Sequence, residues 1–499
     1  LNYDGAGYNL AIGHRAAYTL TTQTKTIFIG AFAGSALTTS GDSNMAIGYA
    51  AMGGAAVGDG NIAIGYQSMQ NANAAGLHRN VAIGYQTMAN VGSNAPTDNV
   101  AIGYHALNDI NGSALGNVAI GSYSGDAITS GDYNVSIGEY ALSSATSGGS
   151  NIAIGRLAGS NTTTINLNTY IGYAAGYGNQ TGGYNTIIGN ESYSQTGGVV
   201  NFAYVTTLGG EAGRYATGSY NTFIGAEAGM GGTTSAPFSS GQYNVAMGTQ
   251  ALKNFTTANY NVAIGYQAAE DLTTGYNNTV VGALAGESLT STIQTVLIGS
   301  YAGHSINSTD ANGTIAIGSN AGVNITDARY NTIIGFEAGD AITSGDENTA
   351  LGYQTLSSIQ TNTSNVAIGY RAMSGGGGTQ NIAIGADAMY QGPTGGTNYA
   401  IGRYTMMDCN AGATALSSNS NIAIGHAALG GTWADAASNY NIAIGHLAMD
   451  AGVNGALRNI AIGYEALSDL TSGDDTVAIG YGAADDMTTG TGNMAIGSY

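Results

Sequence analysis

Three glutamates occupy the same place in a repeated phrase of this sequence. Glu191, Glu211 and Glu227 each lie two residues after a glycine that ends a short apolar run. Equivalent residues of stacked coils lie about 5 Å apart, so three carboxylates in a row repel one another. They must either turn into water or share a cation, and carboxylate oxygens are ligands that Ca²⁺ accepts. We therefore treat them as a candidate structural Ca²⁺ site and expect no other cofactor.

Three rarer residues lie in three of the longest repeats, residues 225–248, 402–425 and 425–445. They are Phe238, Cys409 and Trp433, the last being the only tryptophan. Long loops on a rigid scaffold often carry ligand contacts, although insertions are also simply tolerated at turns. We predict these three as ligand-contact residues. Cys409 is the only cysteine and has no partner for an internal disulfide.

Aromatic residues recur at two fixed places in the repeat. Of 33 tyrosines, ten directly follow the repeat glycine and eight directly precede a recurrent asparagine. Rows of aligned tyrosines could stack on sugar rings or on each other, and we favour packing between coils. His426 and His446 follow the glycine in consecutive repeats, where substitution at a surface position is favoured over metal binding.

No group of residues in the sequence indicates catalysis. Paired carboxylates can hydrolyse glycosidic bonds, but the acidic residues fall mostly in turns and no pair stands out. The sequence has no activated-nucleophile motif, nucleotide-binding loop or zinc-ligand spacing. We predict no catalytic residue and no enzymatic activity.

All these residues are positioned by one repeated sequence motif, Asn-Val-Ala-Ile-Gly or a close variant, which we call the phrase. It ends at 28 anchor glycines from Gly13 to Gly497. Of the 27 spacings between successive anchor glycines, 15 are 17 residues long, as from Gly48 to Gly65. The others range from 16 to 23 residues. A fixed period of this size indicates coils stacked in one direction. We predict an all-β parallel β-solenoid of about 28 coils, running as a single continuous array over residues 1–499. Both ends of the sequence look cut from a longer chain.

The phrase assigns a different role to each of its positions. The residue before the anchor glycine is Ile in 24 of 28 repeats, which indicates the interior of the coil. The residue before that is Ala in 19 repeats, which indicates a second packing surface, either the facing wall of the coil or a neighbouring chain. The recurrent Asn, present in 23 repeats, predicts a ladder of stacked amides or a corner. The glycine predicts a bend with positive φ or a close backbone approach.

The structural positions named from the first repeats are Asn44, Asn61, Asn80, Asn99, Asn117, Asn134 and Asn151 for the amide ladder, Ile47, Ile64, Ile83 and Ile102 for the aliphatic row, and Gly48, Gly65, Gly84 and Gly103 for the bends.

Composition narrows the classes of partner. The net charge is −20, with Lys25 and Lys253 as the only lysines, so binding to nucleic acid or to an anionic membrane surface is excluded. No apolar run approaches the roughly 20 residues of a membrane-spanning helix, and we predict no membrane insertion. Two buried aliphatic side chains in each coil contribute less free energy than ordering the backbone of that coil costs. We therefore expect copies of the chain to pack together, three about one axis being favoured.

The phrase also resembles known families. Residues 44–48, 61–65 and 151–155 resemble the head repeats of trimeric autotransporter adhesins, and residues 217–229 look like repeats of phage tail-fibre and related bacterial surface fibre proteins. The resemblance implies a left-handed parallel β-roll, three chains wound about one axis and a role in attachment. The period of this chain departs from that of the adhesin heads, which is shorter.

Together these features predict a structural segment of an extracellular homotrimeric fibre, on a cell surface or a virion, that serves attachment. Its partners would be its own copies and a host-surface glycan or protein. Two alternatives remain: a solenoid that binds glycan or matrix directly through tyrosine rows and long loops, and a single-chain unit of a self-polymerising extracellular filament.

Overall fold

The repeated phrase folds into short parallel strands. The computed structural model describes residues 7–21, 23–38, 41–54, 56–74, 76–92, 94–194, 200–233, 238–409, 417–434 and 436–499. The chain divides into two units, Leu1–Gln250 with Asn254–Thr257, and Ala251–Lys253 with Ala258–Tyr499. A 3-10 turn spans Thr309–Ala311, and within the described residues no helix has the length and apolar character to span a bilayer.

The strands of the first unit are β1 Leu10–Ile12, β2 Ile27–Ile29, β3 Met45–Ile47, β4 Ala56–Val57, β5 Ile62–Ile64, β6 Asn73–Ala74, β7 Val81–Ile83, β8 Val100–Ile102, β9 Val118–Ile120, β10 Val135–Ile137, β11 Ile152–Ile154, β12 Thr169–Ile171, β13 Thr186–Ile188, β14 Thr206–Leu208, β15 Thr222–Ile224 and β16 Val245–Met247.

The strands of the second unit are β17 Val262–Ile264, β18 Thr279–Val281, β19 Val296–Ile298, β20 Ile315–Ile317, β21 Thr332–Ile334, β22 Thr349–Leu351, β23 Val366–Ile368, β24 Ile382–Ile384, β25 Tyr399–Ile401, β26 Ile422–Ile424, β27 Ile442–Ile444, β28 Ile460–Ile462, β29 Ser472–Asp474, β30 Val477–Ile479, β31 Thr489–Thr491 and β32 Met494–Ile496.

Successive phrases pair in parallel and in the same register. Val135 lies opposite Ile152 and Ile137 opposite Ile154, so equivalent residues of neighbouring coils are adjacent. The same pairing relates the phrase strands within each unit, while β4 pairs with β6 and β29 with β31 in separate two-stranded sheets. The predicted all-β parallel solenoid is confirmed, and so is the period that the anchor glycines predict.

The interior of the coil is lined by alanine, and the prediction that isoleucine lines it is wrong. Ala46, Ala63 and Ala82 have no exposed surface, whereas Ile47 is half-buried and Ile102 is 36% exposed. The two faces of a strand alternate, so isoleucines that leave the interior form an outward row. The physical reason is space, because large side chains from beyond the strand, such as Leu107 and Ile110, fill the interior and leave room only for a small residue on the inward side of the strand.

In several coils, a large interior side chain at one of two positions is matched by a small residue at the other, so that the two compensate in volume. In one coil, Ala46 lies two residues before the anchor glycine Gly48, and the fourth residue after Gly48 is the buried Met52. Where Phe28 takes the alanine position, the fourth residue after the glycine is Gly34, and a Cβ there would lie 2.6 Å from the Phe28 ring. The same exchange links Tyr170 with Gly176, Phe223 with Gly229 and Leu297 with Gly303.

The anchor glycines turn the chain at the end of each strand. All 28 have φ between 129° and 148°, in the region where a side chain is strained. They also stack closely, since a Cβ on Gly48, Gly65, Gly84 or Gly103 would lie 2.2–2.5 Å from the carbonyl oxygen of the next anchor glycine. Both alternatives drawn from the sequence, the bend and the close approach, therefore hold at the same residue.

Left-handed backbone also recurs outside glycine. The second residue after the anchor glycine has φ between 47° and 62° in 26 coils, whatever its side chain. Its N–H donates across to the preceding coil, as Ala50 does to the carbonyl of Ala31 at 3.0 Å. A non-glycine residue in this conformation costs on the order of 1 kcal/mol, which the inter-coil hydrogen bonds offset.

Replacing Ala50 with glycine is therefore expected to stabilise the fold by about 1 kcal/mol, because glycine adopts φ near 53° without steric cost. The measurement is the midpoint of urea unfolding. Ala31, also half-buried, provides the control because its φ is not positive, and Ala31→Gly should be destabilising. Equal effects of the two substitutions would contradict the assignment of strain to Ala50.

Candidate functional site

The recurrent asparagines form a buried ladder along the corner of the coil. The side-chain Oδ1 of Asn44 accepts hydrogen bonds from the backbone N–H of Asn61 at 2.8 Å and from its Nδ2 at 3.2 Å. Asn61 Nδ2 also donates to the carbonyl of Leu77 at 2.8 Å, which holds the loop of the next coil. The pattern repeats through Asn80, Asn99, Asn117, Asn134 and Asn151. These amides therefore stabilise the fold and are not directed to a ligand in solvent.

Two of the three glutamates contact a common arginine. Arg214 forms ion pairs with Glu191 at 2.7 Å and with Glu211 at 2.9 Å. Burial lowers the pKa of Arg214, but the hydrogen bond to Glu211 and the charge of Glu191 outweigh it and raise the pKa overall. Glu227 accepts a hydrogen bond from Nε2 of Gln250 at 3.1 Å. Arg214, which sequence reasoning missed, thus supplies a positive charge beside two of the three carboxylates.

Two of the three predicted ligand-contact residues face the interior. Trp433 and Cys409 have no exposed surface. Trp433 Nε1 donates to the carbonyl of Leu429 at 3.2 Å, and the Cys409 thiol donates to the carbonyl of Met406 at 3.2 Å. Burial raises the pKa of that thiol. Both side chains fill the space under an enlarged coil and cannot reach a surface ligand, so their assignment as contacts is wrong.

Phe238 is half-buried, and the loop before it, residues 234–237, lies outside the described residues, as do 410–416 and 435 of the other two long repeats.

Tyrosines form two exposed rows in the first unit. After the anchor glycines, Tyr49, Tyr66, Tyr85 and Tyr104 stack with ring centroids 5.0–5.3 Å apart and interplanar angles of 9–13°. Beside the asparagine ladder, a second row has centroids 4.8–5.1 Å apart and angles of 4–5°. We call this second set the corner row; it consists of Tyr184, Tyr204, Tyr220 and Tyr243. Each ring inside a row has both faces covered by its neighbours, so only the end rings can offer a face to a ligand.

The two histidines stack as expected from their place in the repeat. The rings of His426 and His446 lie 4.9 Å apart at 11°, and His446 stacks in turn on Tyr464 at 5.3 Å. They continue an aromatic row of the second unit. In the residues that the structure describes, no three of His, Cys, Asp and Glu come together as ligands for a metal ion.

Partly buried carboxylates occur in the octapeptide that is repeated at residues 125–132 and 339–346. Burial, reinforced by the charge of Asp109, raises the pKa of Asp126 to about 6, and burial likewise raises the pKa of Asp340. One is in the first unit and the other in the second. Each shift follows mainly from local burial.

Within each unit, the outward sides of the phrase strands form a second surface. We call it the aliphatic face: the residues one and three before each anchor glycine. None of the residues at these two places is charged in any of the 28 repeats. Ile152 and Ile154 are 39% and 37% exposed, and Leu208 and Ile401 are exposed in the same way. An uncharged, largely aliphatic surface of this kind, although threonines such as Thr169 and Thr186 interrupt it, is typical of a site of association.

No protein-family model matches the sequence, and no curated protein matches it either. The chain is therefore characterised by its structure alone, as an all-β parallel solenoid that carries an aliphatic face and rows of exposed tyrosines.

Proposed function

We propose that this chain is a structural segment of an extracellular homotrimeric fibre used for attachment, without enzymatic activity. The observation that supports the proposal is the aliphatic face. The side chains of the aliphatic face repeat with the spacing of the strands. The same face of another copy has the same spacing, so the two faces can pack with each strand opposite a strand.

The proposal of three chains comes from the resemblance of the phrase, and rotational symmetry accounts for why the same face of each chain meets at the axis. Parallel copies related by a rotation axis bring the same face of each chain to that axis, and closed rotational symmetry is the usual form of homo-oligomers. Burying uncharged aliphatic side chains is the main favourable term in such association. Three chains place every copy's aliphatic face at the axis, in agreement with the fibre repeats that the phrase resembles.

The location outside the cell is supported by the chemistry of the surface. The chain has only 10 Lys and Arg in 499 residues, so trypsin-like proteases find few cleavage sites. A net charge of −20 on each chain makes assembled fibres repel one another electrostatically and so keeps them in solution. Both properties suit a protein that must persist and stay dispersed outside a cell.

The test is the solution mass by light scattering and sedimentation velocity. We expect a mass near three times 49.9 kDa. A variant with Ile83→Lys, Ile102→Lys and Ile120→Lys places three charges on the aliphatic face and should bring the mass down to one chain, because desolvated charges oppose association.

The matched control places the same three charges elsewhere on neighbouring coils. Asn71, Asn90 and Asn111 are exposed and lie outside the aliphatic face, so their replacement by lysine should leave the trimer intact. A wild-type mass of one chain would overturn the proposal, and a mass that grows with concentration would favour the self-polymerising filament.

A further inference from the structure

The corner row of tyrosines has a gap with a tyrosine on each side. The same position in the repeat is held by Tyr133, then Ser150, then Leu167, and then Tyr184, where the continuous row begins. These four residues share one backbone conformation, with φ of 57–62°. The gap therefore interrupts the row without changing the path of the chain.

The gap is a cleft of about 440 Å³ on the surface of the first unit. Three strand spacings of about 4.8 Å separate the two tyrosines, or about 14 Å along the stack. Tyr133 and Tyr184 are each 58% exposed, against 44% for Tyr220 inside the row. Tyr184 is stacked on Tyr204 on one side, and on its other side it borders the cleft beside Leu167.

Most residues of the floor and rim of the cleft are polar, and Leu167, which is 49% exposed, adds an apolar patch beside Tyr184. Ser130, Ser147 and Ser150 are exposed and line it, and their hydroxyls make no hydrogen bond within the described residues. Asn166 uses its Oδ1 to accept from the N–H of Gly149 at 2.7 Å, so its Nδ2 donors are directed elsewhere. Asp132 uses Oδ1 to accept from the N–H of Leu115 at 2.8 Å and retains its second oxygen.

We propose that this cleft is a binding site for a neutral oligosaccharide whose sugar rings lie against both Tyr133 and Tyr184. The face of a tyrosine ring is apolar and electron-rich, and it suits the C–H face of a pyranose. Free hydroxyl, amide and carboxylate groups beside that ring match the hydroxyls at the edge of the sugar. Asp132 and the overall charge of −20 select against acidic sugars.

The inference goes beyond the fibre role, because a purely structural segment needs no ligand site, and it does not depend on the trimer. It also separates the two kinds of tyrosine. Rings inside the rows are covered on both faces by neighbouring rings and stabilise the packing of coils. The rings of Tyr133 and Tyr184, which border the gap, can contact a sugar.

The experiment is binding of the fluorescently labelled chain to an array of immobilised neutral and acidic oligosaccharides. The affinity for the best-bound glycan is then measured by calorimetry. We expect neutral glycans to be bound and acidic ones not. Tyr133→Ala and Tyr184→Ala should each weaken binding by roughly tenfold. Tyr220→Ala, inside the row and outside the cleft, should leave the affinity unchanged.

A second variant fills the gap instead of truncating its walls. Ser150→Tyr with Leu167→Tyr continues the corner row in a conformation that tyrosine already adopts in neighbouring coils, so the chain should fold and lose glycan binding. The solution mass of each variant is recorded in the same samples. Absence of binding to every glycan, or binding unchanged in the filled variant, would overturn the cleft assignment whatever the mass, while a single-chain mass with glycan binding intact would overturn only the fibre.

Discussion

Replacing Gly209 with alanine is expected to destabilise its coil by about 4 kcal/mol, because two costs combine at this residue. The anchor glycine has φ of +148°, and a Cβ there would lie 2.4 Å from the carbonyl oxygen of Gly225. Backbone strain of roughly 1–3 kcal/mol and overpacking of a similar size add together, since the obstacle is backbone and not a side chain that can move aside. Chemical denaturation, with hydrogen exchange of the neighbouring amides, measures the loss.

The adjacent residue gives the matched control. A Cβ on Gly210 would meet no atom within 4 Å, and its φ is not positive, so Gly210→Ala should be neutral or stabilise by about 0.5 kcal/mol. If the two alanine substitutions had the same effect, the stacking of anchor glycines would not be the feature that closes the coils.

Replacing Phe28 with alanine is expected to cost about 3–5 kcal/mol, and replacing Gly34 with methionine as well should restore most of it. Phe28 fills the interior of its coil and is 1% exposed. The double variant converts this coil into a copy of the next one, where Ala46 and Met52 fill the same space. Methionine is acceptable at residue 34 because Gly34 has φ of +58° and Met52 has φ of +54°.

The free energies of the four proteins form a double-mutant cycle. Gly34→Met alone should destabilise by about 1–3 kcal/mol, because its Cβ would lie 2.6 Å from the Phe28 ring. The coupling between the two sites should then exceed about 3 kcal/mol, the upper end of the usual range for residues in contact. Additive effects would show that the two positions do not share one cavity.

Much of the fold could be predicted from the spacing of the anchor glycines. A nearly constant period, with alternating residues before each glycine, leaves few structures other than stacked parallel strands. The asparagine at a fixed distance from the glycine likewise indicated an amide that meets its counterpart in the next coil. These features depend on neighbours one repeat apart, and the repeat length states that distance directly.

The candidate sites could not be predicted so well, because they depend on which side of the coil each residue faces. Period two places Ala46 and Ile47 on opposite faces but does not say which face is interior. The volume exchange between Phe28 and Gly34 contained that information, since only residues that share a cavity need to compensate in size. In the same way, Trp433 looked like a loop residue until its burial placed it inside a coil.

By itself, then, the sequence determined the parallel stacking, the period and the alignment of like residues, because these follow from repetition along the chain. Only the tertiary structure decided that alanine faces inward and isoleucine outward, that Arg214 lies between Glu191 and Glu211, and that Tyr133 and Tyr184 border an open cleft. Those outcomes depend on the narrow cross-section of the coil and on the direction in which each side chain leaves it, which no spacing in the sequence records.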